Sequence, residues 1–489
     1  MKRTKLALLL LCASAMLYSC SKKDILNDKI PALKDSKKVA YNGDGAWDLL
    51  GFGFDVTGPM LHIDNASDAP IIDMDRFNLE QPNRIAPQSG GIDTSRLFSG
   101  SDYFEYLKDV TKEFGVTAKV DSGKQFYSGT FKSTNQQVDF YTSKYSYATF
   151  ESVKRIKRIK FNDDVPVGLL IQYLSPGFLS NVQTLSADNL VQIYGTHLLT
   201  DITLGGRLTM HHKAAVINEN TQENKTRSIS AGIAFAVTKA LGLNVTGNFS
   251  STEKTKAITE NMNREFNLIA YGGATSGLSV SVDANGNISQ SINIGAWQQS
   301  ITVNNCVLVG IGGSIPLYDL IADPLKKAAV KAAVEKRIND SQIQILKLTP
   351  LFKVHSVGDK NTMIVTSKAE VDNLVNNWGN QYQGMIGYIA ANPGTGTIPL
   401  HSMKSIGDKN NFFLTNQHDV DEHVVRWKNI HYGIVGYAFS QSPGLLPLYQ
   451  VKSNGDKNTM YVTSQQEVDY LVNTWGNIFQ GAIGYIIKP

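Results

Sequence analysis

The residues able to carry acid–base, metal or nucleophilic chemistry are few, and their spacing points away from all three. His197 would need a nucleophile and an orienting carboxylate close by to act as a general base. No nucleophile elbow or helical metal motif accompanies it. His211 and His212 are adjacent, and neighbouring side chains on a strand face opposite ways. His418 and His423 have no third partner in the sequence. Cys306 lies in the apolar run from Ile301 to Val309, which reads as a strand and makes it a buried structural thiol. No catalytic residue, metal ligand or cofactor is assigned, and an enzyme is not expected.

The elements around these residues are more informative. At 489 residues the chain has room for two cores, and 42% hydrophobic against 18% charged residues reads as globular. Net charge is +4. The one dense basic run, Lys154 to Lys160, alternates with apolar residues and reads as a solvated strand face rather than a nucleic-acid patch. The chain opens with Lys2, Arg3 and Lys5, then an apolar run from Leu6 to Leu17 too short to span a bilayer comfortably. Leu17-Tyr18-Ser19-Cys20 resembles the lipobox of bacterial lipoproteins. That resemblance implies a signal over 1–19, a lipid on Cys20, a tether over 20–40, and a place at the outer membrane or cell surface, or release from it. Cys306 would then be the only free thiol of the mature chain.

Ala187 to Ile193 reads as a short helix running into Tyr194-Gly195-Thr196-His197-Leu198-Leu199, then Asp201 to Leu204 and the pair Gly205-Gly206. A second pair, Gly272-Gly273, ends a later strand and marks a bend. Asp48 to Gly58 reads as an opening strand, Asn78 to Thr94 as loop, Asp102 to Phe114 as helix and Phe140 to Ile159 as strand. Asp323 and Pro324 cap a helix to Ile338. The motif at Tyr194, Gly195, Thr196, His197, Gly205 and Gly206 resembles the signature of the membrane-attack-complex/perforin (MACPF) family. Taken with the lipobox, the likeness is to a lipoprotein of a gut-type Gram-negative bacterium. It implies an α+β domain over 41–345: a bent antiparallel sheet, as in cholesterol-dependent cytolysins, flanked by two helical clusters.

Residues 228–251 carry two periods at once. Ile229, Ile233, Phe235, Val237, Leu243 and Val245 stand at odd positions opposite small or polar even ones, as in a membrane β-hairpin. Folding about Lys239-Ala240-Leu241 pairs Val237 with Leu243 and Phe235 with Val245. Ile229, Ile233, Val237, Leu241, Val245 and Phe249 also form a helical stripe. The resemblance implies a helical cluster at 214–262 that becomes a hairpin in a pore, and a first cluster near Ser101 to Phe140. An ordinary two-sided strand of a soluble sheet is the other reading of 228–251.

From Pro350 one unit recurs three times, with Pro350, Pro399 and Pro447 spaced by 49 and then 48 residues. The units are 350–398, 399–446 and 447–489, within a domain over 346–489. Each reads strand, Gly-Asp-Lys-Asn turn, strand, helix, strand, and three together should close on a pseudo-threefold axis. Asp359, Asn361, Asp408, Asn410, Asp456 and Asn458 are candidate ligand-binding residues of the turns. Trp378, Trp427 and Trp475 are expected to fill the core.

The resemblance implies a pore-former that assembles with copies of itself into a ring on a target membrane, as an antibacterial toxin or host-membrane effector. The repeats would direct it to a surface glycan or lipid. A non-lytic surface adhesin that keeps the fold is the competing reading.

Overall fold

The structure, a computed structural model, describes residues 43–114, 126–131, 142–219, 221–245, 247–274, 279–283, 293–343, 345–358 and 361–489. The signal, Cys20 and the tether lie outside the described residues. Alternating sequence builds nine strands into one sheet: β1 (Phe52–Phe54), β2 (Ala66–Pro70), β3 (Ile85–Ser89), β4 (Thr94–Gly100), β5 (Ser146–Phe161), β6 (His197–Ala215), β7 (Met262–Tyr271), β8 (Ser279–Val282) and β9 (Val307–Pro316). β5 and β6 form its spine, antiparallel from Ser146 opposite Ala214 to Lys160 opposite Asp201. Both change partner midway. β5 pairs first with β4 and then with β3; β6 pairs first with β9 and then with β7. The change falls at Gly205-Gly206, opposite a bulge between Arg155 and Lys157.

This topology sends two long inserts out of one sheet edge. Residues 101–145 join β4 to β5, which are already paired at Gly100 opposite Tyr147. Residues 216–261 join β6 to β7, paired at Ala215 opposite Met262. The first insert carries the helix Tyr103–Glu113, capped by Asp102. Its Phe126 and Tyr127 are buried, and Phe131 packs against Tyr103, Tyr106 and Tyr147 with ring centroids 5.1–5.9 Å apart. Residues 115–125 and 132–140, the rest of the expected first cluster, lie outside the described residues.

The second insert is helical: Gln222–Leu241, then Ser251–Glu260 behind a capping box of Ser250 and Glu253. The helical stripe does not run on to Val245 and Phe249 as expected. Gly242 takes the left-handed conformation (φ 66°) and donates to Thr238 O, which ends the helix at Leu241. Among the described residues no helix is long and apolar enough to cross a membrane.

Three local expectations change. The opening strand shrinks to β1. The Pro- and Gly-rich stretch from Asn78 to Thr94 is not all loop, because Ile85–Ser89 finds β5 as a partner. Cys306 precedes β9 in a turn, where its Sγ donates to Val303 O at 3.3 Å.

The second domain repeats one element order three times. Its strands are β10 (Leu348–His355), β11 (Thr362–Val365) and β12 (Gln381–Ala390); β13 (Thr397–Lys404), β14 (Asn411–Leu414) and β15 (Ile430–Phe439); and β16 (Leu446–Lys452), β17 (Thr459–Val462) and β18 (Ile478–Ile486). Helices Lys368–Asn376, Gln417–Trp427 and Gln465–Trp475 precede the third strand of each unit. Those third strands pair cyclically: Ala390 with Tyr437, Phe439 with Tyr485, and Ile487 with Tyr388. Equivalent residues make equivalent bonds, so the domain closes on a pseudo-threefold axis. Leu351, Leu400 and Leu448 are fully buried around that closure.

Candidate functional site

Tyr194 ends the helix Ala187–Tyr194, and Gly195 (φ 73°) turns the chain into β6. The Tyr194 ring packs edge-on against Phe178 and its hydroxyl accepts from Asn181 Nδ2 at 2.9 Å. Thr196 stitches β6 to β1. Its hydroxyl donates to Phe54 O (3.1 Å) and accepts from Val56 N–H (3.2 Å). The hydroxyl proton being spent, His197 donates to it from Nδ1 at 2.9 Å. His197 is fully buried, and desolvation pushes its pKa down to about 4. It is a neutral packing residue, with Nε2 unpartnered among the described residues.

Gly205 packs against β5 and Gly206 against the helix Ile294–Ser300, both too closely for a Cβ. A Cβ on Gly205 would lie 1.9 Å from Lys154 O, and one on Gly206 would lie 2.1 Å from Ile301 Cδ1. Gly272 and Gly273 take φ of 75° and 73° beside them, and Trp297 Nε1 donates to Gly272 O at 3.1 Å. The sequence alone suggests that valine at Gly205 would spare the monomer. The contact with Lys154 backbone corrects this, since nothing flexible is there to move aside.

Next to the bend lies a buried charge cluster that the sequence does not signal. Glu151 on β5 sits between Arg207 (3.7 Å) and Arg96 (3.8 Å), too far for hydrogen bonds. Arg207 donates instead to Met60 O at 3.0 Å and lies over the Tyr271 ring. Burial raises the Glu151 pKa, against the pull of both arginines.

His211 and His212 face opposite insert clusters. His211 Nδ1 meets Thr149 Oγ1 at 2.8 Å, that hydroxyl meets Tyr106 of the first insert at 2.9 Å, and Phe131 covers the ring. His212 stacks on Phe266 at 4.0 Å and donates from Nδ1 to Glu265 O at 3.1 Å. Its Nε2 has no partner among the described residues and sits against the second insert, 2.9 Å from where a Cβ on Gly232 would be. Burial lowers the pKa of His211 to about 4 and of His212 to about 3. Ile229, Ile233 and Val237 are buried on the insert helix, Phe235 is half-buried, and Leu243 and Val245 follow it in irregular chain. No group of three or more His, Cys, Asp or Glu among the described residues is placed to hold a metal.

In the second domain the turn asparagines are spent on the fold rather than offered to a ligand. Asn361 Nδ2 donates to Lys409 O of the next unit at 3.2 Å. Asn410 donates to Lys457 O (3.3 Å) and Thr459 Oγ1 (2.7 Å) and accepts from Thr459 N–H (3.0 Å). Asn458 is buried and bonds Asp456 through its backbone (3.1 Å) and amide (2.7 Å). Asp408 is exposed and accepts from Ser405 Oγ. Asp359 lies outside the described residues. The tryptophans overturn their expectation. Trp378, Trp427 and Trp475 are 73%, 48% and 65% exposed, because strand residues such as Leu351, Leu400, Leu448, Ile389, Ile486, Phe413 and Tyr461 already fill the core. Their setting could have signalled this, since Asn376, Asn377 and Asn380 surround Trp378.

Comparison with known proteins agrees with this geometry. Residues 350–487 match a domain of unknown function (DUF5648), and residues 40–345 match the MAC/Perforin domain. No curated protein sequence matches the chain. Among solved structures, a MAC/Perforin-domain protein of Bacteriodes thetaiotaomicron VPI-5482 is 20% identical over 65% of this chain and 66% of its own, with a TM-score of 0.47. This chain therefore spans just under two thirds of that relative. GNIP1Aa of Chromobacterium piscinae is 13% identical over 87% of this chain and 77% of its own, also at a TM-score of 0.47. With more than half of its length matched by the MAC/Perforin domain, the chain belongs to that family.

Proposed function

We propose that this protein assembles with copies of itself on a target membrane and drives its two inserts through the bilayer as β-hairpins. One observation carries the reading: each insert is spliced between two strands that are already antiparallel partners, and both leave the same sheet edge. Unfurling an insert therefore lengthens an existing hairpin and requires no new strand order. Extending the register of Arg207 to Lys213, with the bulge at Lys213/Ala215 straightened, sets Ile229 opposite Phe249, Ile233 opposite Val245 and Phe235 opposite Leu243. This register differs from the sequence-derived one by two residues, which leaves every apolar side chain on the same face. The bent sheet and its crowded glycines supply a conformation able to straighten on assembly. A lipid on Cys20 would hold the protein at the outer membrane or cell surface until release, and the three-unit domain would choose the target surface, a glycan or a lipid.

The test is dye release from liposomes made from bacterial and host lipid extracts, using the protein with Cys20→Ser. Release with rings visible by microscopy is expected. No release from any extract, together with glycan binding by the full chain, would replace this reading with that of an adhesin.

A further inference from the structure

Three exposed tryptophans of the second domain stand at equivalent places in its three units. Trp378, Trp427 and Trp475 each sit at the end of the unit's helix. A left-handed residue follows each (Gly379 φ 66°, Lys428 φ 58°, Gly476 φ 64°), and then an asparagine. Asn380, Asn429 and Asn477 accept from Val357, Ile406 and Asn454 N–H at 3.3, 3.3 and 3.2 Å. One bond, made three times, thus fixes the corner that presents each tryptophan. The neighbouring strand starts add further exposed apolar side chains, among them Tyr382, Ile430, Tyr432 and Ile478.

Three points related by a threefold axis lie in one plane perpendicular to it, and the strand starts that follow the tryptophans share one end of the domain, with Gln381, Ile430 and Ile478 opposite His355, Lys404 and Lys452. We propose that this ring is a bilayer contact that seats the domain at the headgroup–acyl boundary of a zwitterionic membrane. Tryptophan and tyrosine favour that boundary, being apolar bodies with one polar handle. Ile430, Ile434, Ile478 and Val425 gain by entering acyl chains, and they offer a sugar neither stacking nor hydrogen bonds. Of the turn residues a sugar could use, Asn361, Asn410 and Asn458 are buried, which leaves Asp408 and Asp456 exposed without them. Residues 346–489 carry 11 Lys and Arg against 10 Asp and Glu, so charge provides no pull toward anionic lipid. The domain is also fastened beside the edge the inserts leave. Ser143 N–H donates to Leu346 O (3.1 Å) and Leu348 N–H to Ser143 Oγ (2.8 Å), while Lys144 Nζ donates to Lys488 O (2.9 Å) and Asn263 to Pro489 O (3.1 Å). The tryptophans stand at the opposite strand ends from this attachment, since Gln381 pairs with His355 and Ala390 with Leu348, so seating the ring would hold the inserts about one strand length from the surface they would cross. The role of the inserts rests on the pore-forming reading; the contact itself is measured without lysis.

The experiment compares full-length protein carrying Cys20→Ser with the same protein carrying W378S, W427S and W475S. Both are floated on phosphatidylcholine vesicles, with and without brominated acyl chains. The parent should float equally well at low and high salt, and brominated lipid should quench its tryptophan fluorescence. The triple variant should keep its circular dichroism and melting temperature and lose at least tenfold in binding. W378S alone, at the most exposed site, should lose part of the binding and covers the case in which the triple variant misfolds. A folded triple variant that floats like the parent overturns the proposal, as does a parent that ignores vesicles and binds a glycan through the same tryptophans. If the parent floats, the variant does not and neither releases dye, the contact stands and the pore-forming reading falls.

Discussion

The two domains meet their polar groups in opposite ways. Among the described residues, ten of the eleven buried side-chain polar atoms without a hydrogen-bond partner lie in the first domain, at Asp48, Thr94, Ser101, Glu151, His197, Arg207, His212, Arg264 and Ser314. The eleventh is Asn361 Oδ1. The second domain instead closes on itself, each third strand pairing with the next, and Asn361 and Asn410 bonding the next unit. Buried unsatisfied groups make a packing costly to hold. Ser101, Glu151, Arg207, His212 and Arg264 lie on or beside the strands that carry the inserts, so the packing under the inserts is costly to hold. The second domain has little to gain from rearranging, as suits a platform.

The largest effect should come from the bend. Gly205→Ala places a Cβ against Lys154 O and should cost on the order of 3–5 kcal/mol in chemical denaturation of the first domain. Gly455→Ala enters open space in a second-domain turn and should change stability by less than about 0.5 kcal/mol. Equal effects would erase the contrast between the domains.

Acid should act next, and on the first domain. His211 and His212 are held neutral by burial at pKa values of about 4 and about 3, and once exposed they return toward the ordinary value near 6.5. The released state therefore binds more protons. The packed state keeps its full advantage above about pH 6.5 and loses it as pH falls toward 4, by roughly 2 kcal/mol per histidine at pH 5. Arg207 and Arg264 nearby add to the cost of protonation. Opening of 216–261, read as hydrogen exchange relative to the intrinsic rate at each pH, should rise between pH 7 and 5. His212→Phe, which keeps the ring stacked on Phe266, should blunt that rise. A rise that persists in a His211→Gln/His212→Phe variant would assign it elsewhere, to His197 for instance.

The smallest effect probes the platform. Asn410→Ala leaves the Thr459 N–H buried and unpaired and should cost about 1–3 kcal/mol in unfolding of the second domain. The midpoint of the first domain should not move. A shift in both would mean that the domains unfold as one unit.

Much of this was legible in the sequence, and the failures have physical causes. The helix ending at Tyr194 and the strand after it were legible because a helix-to-strand turn needs a left-handed residue, here Gly195. The three units were legible because Pro350, Pro399 and Pro447 recur with their landmarks. The segment 228–251 was ambiguous because period-two and helical patterns coincide at Ile229, Ile233 and Val237; packing on β4, β5 and β6 selects the helix, and Gly242 stops it. Local pattern could not place Glu151 beside Arg96 and Arg207, a contact made across three strands. Trp378, Trp427 and Trp475 were misjudged because size suggests burial, while the closed core has no room for them. The turn asparagines were misjudged because Asn361 and Asn410 bond the next unit, and Asn458 is buried against Asp456 of its own turn.

The most direct test ties the second insert to the sheet. Ser228 Oγ and Asn261 Oδ1 lie 3.3 Å apart, joining the helix Gln222–Leu241 to the base of β7. In the Cys20→Ser background, Ser228→Cys with Asn261→Cys places two thiols within reach of a disulfide. The oxidised protein should bind liposomes without releasing dye, and adding reductant should restore release to the parent's level. Full release from the oxidised form would contradict the account, because the pore would then open without the second insert leaving its helix.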